Sequence, residues 1–129
     1  MARILILDDD PVFRGALAAA LMELGHETRE ADNGRGVEDI VYRERIDLVV
    51  TEICMPERDG LEVILALRRG LPKVPVVALR KERKDGEYLL LAQKFGAKAA
   101  MQKSVPTPTI IETIRALLEV STKKSDATS

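Results

Sequence analysis

Several residue types that common binding chemistries depend on are scarce in this chain. A single cysteine, Cys54, excludes an internal disulfide framework and fits a reducing compartment. The single histidine, His26, lies in the turn LGHET, and no cluster of histidines and cysteines suggests zinc. Tryptophan is absent, and two tyrosines and two phenylalanines leave little to stack on a flavin ring. Neither sign of charge dominates. The 20 lysines and arginines against 21 acids leave a net charge of -1, which gives no global pull towards nucleic acid or anionic lipid. Long hydrophobic runs are missing too. The N-terminal MARILILDDD breaks into three acids after a few apolar residues, too soon for a signal peptide or a membrane span. The expectation is a soluble, cytoplasmic single domain of 129 residues, with no nucleic acid bound by this chain and no membrane contact.

What is present is a regular alternation. Ile4 to Leu7 is a short continuous apolar run ending in acids, the pattern of a strand buried on both faces. Val12, Phe13, Ala16, Leu17, Ala20, Leu21 and Leu24 then recur at spacings of three and four, which predicts a helix with one buried face. Asp10-Pro11 opens that helix and Gly25 closes it. A weak strand follows at 27–31, then a turn at Asn33-Gly34 and a helix to about Glu44. Strands are predicted at 48–51, 74–79 and 98–102, with helices at 61–69, about 85–95 and about 109–120. Parallel strands need crossover connections, so five strands alternating with five helices predict an α/β fold with both sheet faces covered. The last residues, STKKSDATS, are polar and low in complexity and read as a frayed tail or linker over 121–129.

In such sheets ligands bind beyond the carboxyl ends of the strands. The residues placed there are Asp8, Asp9 and Asp10, Glu52, Arg80 and Lys81, and Lys103. One charged residue at a strand end is ordinary, because strand ends are exposed. Carboxylates and a lysine converging from four strand ends suit Mg²⁺ and a phosphoryl group, hard oxygens holding the cation and an ammonium pairing with phosphate.

The stretches ILILDDDPVFR, DLVVTEICMPERDG, PVVAL and GAKAAMQK resemble, in order and spacing, the receiver domain of two-component response regulators, over about residues 3 to 120. The resemblance implies a receiver unit at 1–120 and a flavodoxin-like, doubly wound five-stranded parallel sheet in the order 2-1-3-4-5. It also implies an acidic pair that binds Mg²⁺ and an aspartate that takes a phosphoryl group from a histidine kinase. A Thr or Ser, an aromatic and a lysine then convert that event into a surface change. Carried over by residue, Asp8 and Asp9 match the acidic pair, with Asp9 as the direct metal ligand. The backbone carbonyl of Cys54 stands at another ligand position, its side chain being expected only to pack. Lys103 matches the phosphate-pairing lysine, and Met55, Pro56, Asp59 and Gly60 match the loop that shapes the site.

Other positions depart from the pattern. Glu52 occupies the phospho-acceptor position, Arg80 that of the Thr or Ser, Ala100 that of the aromatic, and Ser104 that of the proline after the lysine. The extra methylene of Glu52 moves its carboxylate by roughly 1.5 Å. Because phosphoryl transfer depends on positioning, a misplacement of about 1 Å can lower the rate about a hundredfold. A glutamate can also hold negative charge near where a phosphoryl group would sit, a fixed mimic of the active state. Arg80 either reaches Glu52 or Asp9, partly replacing the metal and locking the site, or points to water with Lys81 and Arg83. Mg²⁺ binding is then weakened.

The functional expectation is a signalling receiver that is independent of phosphorylation or constitutively locked, not an enzyme, acting through protein contacts. Its partner would be a histidine kinase or a downstream signalling protein, and a homodimer would use the face of the fourth helix, fifth strand and fifth helix. On the fourth helix three consecutive leucines cannot all face inward, and Leu89 is expected to be exposed as a partner contact. The alternatives are a conventional Mg²⁺-dependent phospho-receiver and, more remotely, a haloacid-dehalogenase-like phosphotransferase. The latter rests on the Asp-x-Asp-x-Val in LDDDPV, with Asp8 as nucleophile.

Overall fold

The computed structural model describes residues 1–81 and 87–128, with side-chain surroundings up to residue 121. The elements alternate without exception: β1 (Arg3–Leu7), α1 (Pro11–Glu23), β2 (Glu27–Ala31), α2 (Val37–Arg43), β3 (Leu48–Glu52), α3 (Gly60–Gly70), β4 (Val76–Arg80), α4 (Glu87–Phe95), β5 (Ala99–Gln102) and α5 (Thr107–Thr128). All pairings are parallel, in the order β2-β1-β3-β4-β5. This is the flavodoxin-like arrangement, with strand order reversing where β1 lies between β2 and β3.

The central strands are apolar because they are covered twice. Successive side chains alternate between faces, so Leu5, Leu7, Val49 and Ala78 pack with Val37, Val41, Val63, Ile64, Leu67 and Ala92 from α2, α3 and α4. Ile4, Ile6, Leu48, Val50, Val77 and Leu79 face the other way, onto Leu17, Ala18 and Leu21 of α1 and Ile110 and Ile114 of α5. β2 is weak in sequence because it is an edge. Its ETREA is partly exposed and pairs only with β1, and charged residues there discourage further strand addition.

Asp10 caps α1 as expected, its carboxylate accepting the N–H groups of Val12 and Phe13, with Pro11 in the first turn. Those donors hold its carboxyl below the usual aspartate range, against a smaller desolvation effect. Two expectations need revision, and a third goes untested. β4 ends at Arg80 rather than Leu79. The start of α4 expected near Asp85 lies outside the described residues. The helix α5, expected to end near Val120, continues to Thr128, so 121–128 are helical where a frayed tail was expected.

Candidate functional site

Asp8 follows β1, Glu52 ends β3 and Lys103 follows β5, so parallel strands deliver all three to one edge of the sheet. The ammonium of Lys103 bridges the two carboxylates, 2.7 Å from Asp8 Oδ2 and 3.0 Å from Glu52 Oε2. The side chains are 8%, 2% and 5% exposed for Lys103, Asp8 and Glu52, which makes this a buried triad with one net negative charge. The lysine is steered by its backbone, whose N–H donates to the Arg80 carbonyl, and by the ring of Phe13 from α1, 4.5 Å from the ammonium. Phe13 reads in the sequence only as part of the buried face of α1. Its place in the first turn after three acids is the one signal of a second role.

The extra length of Glu52 is taken up locally. Its carboxylate curls back so that Oε1 accepts the N–H groups of Ile53, at 3.1 Å, and Cys54, at 3.3 Å. Asp8 is equally occupied: Oδ1 accepts the Asp10 N–H at 2.9 Å while Oδ2 meets the lysine. With both oxygens engaged it is not presented as a nucleophile. Asp9 is exposed.

The triad sets its own titration. Burial is the largest influence on Glu52 and, with the Asp8 charge, pushes its carboxyl above the ordinary value of 4.5, against the lowering effect of Lys103 and the Cys54 N–H. Burial works against the Lys103 ammonium, but Asp8 and Glu52 together outweigh it and hold its pKa above the usual lysine value. Two carboxylates share one cation, so one carboxylate remains under-compensated, and Glu52 is that one. A raised folded-state pKa means that Glu52 favours folding fully below 4.5, and that this contribution is lost as pH rises through the folded value. Glu52→Gln, which cannot titrate, should therefore gain stability relative to wild type as pH rises above 4.5, before levelling off. Urea unfolding of both proteins across pH 4 to 7 checks this; a pH-independent gap would contradict it.

Arg80 takes neither course expected for it. It does not reach Glu52 or Asp9, and it does not point to water: it is 8% exposed. Its Nη1 lies 2.6 Å from Cys54 Sγ and its guanidinium stacks over Tyr88 at 3.9 Å. Alternation along the strands explains this. Leu79 belongs to the α1 and α5 face, so Arg80 is turned to the α3 and α4 face, away from the side on which Glu52 meets Lys103. The expectation that Cys54 merely packs is corrected as well, because its side chain is exposed and contacts Arg80. Lys81 is exposed, and Arg83 lies outside the described residues. Ala100 is half-buried, in register with Ala78, and packs against the α2, α3 and α4 cluster. Tyr88 had no signal in the sequence, since its role depends on a strand-to-helix contact.

Leu89 is also corrected. It packs on the core, whereas Leu90 is 60% exposed. The buried residue of α4 is Ala92, and a residue three positions earlier shares its face, which turns Leu89 inward and Leu90 outward.

The side chains as arranged do not fit a divalent cation. Asp8 and Glu52 direct their oxygens at an ammonium and at backbone amides, leaving Asp9 as the carboxylate without such a role. No group of three or more His, Cys, Asp or Glu side chains is gathered to hold a metal ion among the described residues.

Comparison with known proteins converges on one family. The model described as "Response regulator receiver domain" matches residues 4–115. Protein PilH of Pseudomonas aeruginosa is 31% identical over 119 residues, spanning 92% of this chain and 98% of that protein. Response regulator MprA of Mycolicibacterium vanbaalenii is 32% identical over 129 residues, which span 97% of this chain and 54% of MprA. The chain thus spans nearly all of PilH but about half of MprA. The BeF3-activated N-terminal receiver domain of Klebsiella pneumoniae RstA superposes with a TM-score of 0.82 at 28% identity, covering 90% of this chain and 97% of that one. A CheY-like receiver domain protein from Methanospirillum hungatei gives a TM-score of 0.87 at 22% identity, covering 96% and 98%, a likeness of fold alone.

Proposed function

Because this chain belongs to the response regulator receiver domain family, a family of two-component signalling modules, we propose that it is a receiver working without a phosphoryl group at its strand-end site. In this reading Glu52 stands at the phospho-acceptor position. The observation that carries it is the closed triad: Glu52 has one oxygen on Lys103 and the other on two backbone N–H groups, so it has no oxygen turned outward to attack a phosphodonor. In-line transfer needs such an oxygen placed to within about 1 Å. Lys103 takes the counter-charge role that Mg²⁺ would otherwise share, and Mg²⁺ binding is weak. The signal is then the surface itself, offered to a histidine kinase or a downstream signalling protein. In this reading the receiver unit spans 1–120, and the polar segment 121–129, which begins on the continuation of α5, serves as a tail or linker.

Incubating the wild type and Glu52→Asp with a small-molecule phosphodonor and Mg²⁺, followed by intact-mass measurement, tests this reading. The expected result is a phosphoryl adduct on the aspartate variant alone, since the shorter side chain cannot curl onto the Ile53 and Cys54 amides in the same way. Labelling of the wild type would return the protein to the conventional phospho-receiver class.

A further inference from the structure

Cys54 and Arg80 form a pairing that the receiver reading leaves unused. Cys54 sits two residues past Glu52 with its side chain exposed. Arg80 lies against it, more than nine-tenths buried, with Nη1 2.6 Å from the sulfur. Its Nε–H is buried and has no hydrogen-bond partner, and no carboxylate among the described residues forms an ion pair with it. A buried cation facing a thiol and the ring of Tyr88 is short of an anion. A guanidinium against an accessible sulfur is also the setting in which cysteines are reactive.

We propose that Cys54 is an oxidation site for hydroperoxides and that Arg80 is the positioning residue that holds the oxygen added to its sulfur. Cys54 gives its proton to solvent and the thiolate attacks the terminal oxygen of ROOH; the S–O bond forms as the O–O bond breaks. Sulfur loses two electrons, and the departing RO⁻ takes a proton back from solvent, giving Cys54–SOH and ROH. A second hydroperoxide adds a second oxygen in the same way, and the resulting sulfinic acid releases its proton to solvent. The sulfinate oxygens then face Nη1 of Arg80, which donates to them. The chain has no second cysteine to resolve the sulfenic acid internally, so the oxidised form lasts until an external thiol or more peroxide arrives. This chemistry places negative charge on the β3–α3 loop without a kinase. It does not rest on the behaviour of Glu52, because the two modifications differ in both residue and mass.

The test treats the full chain with a small excess of hydrogen peroxide in the presence of dimedone and follows the adduct by intact mass. The folded wild type should react about tenfold faster than the same chain unfolded in urea, the size of effect a charge-assisted hydrogen bond supplies. Arg80→Lys should keep most of that acceleration, Arg80→Gln should fall to the unfolded rate, and Cys54→Ser should give no adduct. A folded wild type no faster than the unfolded chain, or a natively folded Arg80→Gln as fast as wild type, overturns the proposal. Should Arg80→Gln fail to fold, the folded-to-unfolded ratio and Arg80→Lys decide.

Discussion

Lys103→Met should destabilise the domain by about 3–5 kcal/mol at pH 7, the range seen when one partner of a buried ion pair is removed. Methionine keeps much of the apolar length of the side chain, so the loss isolates the ammonium, its contact over the Phe13 ring included. What remains is the pair Asp8 and Glu52, 2% and 5% exposed, facing each other without a cation. At a conversion of roughly 3 °C per kcal/mol for a domain of this size, the melting temperature should fall by about 10–15 °C. A loss under about 1 kcal/mol is what an exposed surface pair would give, and would show that the triad is hydrated.

The same variant carries a pH signature. With the cation gone, Glu52 keeps the raising influences of burial and the Asp8 charge without the lowering influence of Lys103, so folding of Lys103→Met takes up protons at higher pH than folding of the wild type. Its deficit should be largest at neutral pH and shrink as pH falls towards 4.5, the ordinary glutamate value. Adding Glu52→Gln should restore part of the lost stability at pH 7, leaving a single buried charge in place of two. The two substitutions should therefore be strongly non-additive, as expected for groups in direct contact. Urea unfolding of the two single variants and the double variant at pH 5 and 7 provides the complete cycle.

The sequence was most legible where one physical cause acted alone. Ile4 to Leu7 and Leu48 to Val50 are apolar because both sheet faces are covered, and the run reports that directly. Asp8, Glu52 and Lys103 were legible because the end of a parallel strand is one place, whatever the side chain there does next. Arg80 was legible in position but not in direction. Which face it takes depends on the strand ending one residue later, at Arg80, and that boundary carries no sequence mark. The same ambiguity of phase exchanged Leu89 for Leu90 on α4. Cys54 was misjudged because small apolar residues usually pack, and only the arrival of Arg80 from another strand makes its sulfur distinctive. Contacts between elements, such as Lys103 on Phe13 and Arg80 on Tyr88, have no local pattern to betray them.

Gly60→Ala should be the second large loss, and it tests how tightly the β3–α3 loop fixes Glu52. Gly60 opens α3 directly after the cap Asp59, and its N–H donates to the Ile53 carbonyl at 2.7 Å. A Cβ there would lie 2.3 Å from the Glu52 carbonyl oxygen and 2.8 Å from the Ile53 Cα. Both are backbone atoms, so no rotamer change relieves the clash, and the helix must withdraw from the strand end. Overpacking of this kind costs about 1–3 kcal/mol, and the rigid neighbours put this position at about 2–3 kcal/mol. The gain from alanine's helix propensity and reduced unfolded-state entropy, at most about 1 kcal/mol, does not offset it. Gly15→Ala is the control: it lies inside α1 with nothing within 4 Å of the new methyl group, and should stabilise by up to about 1 kcal/mol. Opposite signs for the two substitutions in thermal unfolding would locate the effect in the loop beneath Glu52. Equal signs would mean that α3 can shift freely there and that the strand-end carboxylate is not held by its own backbone.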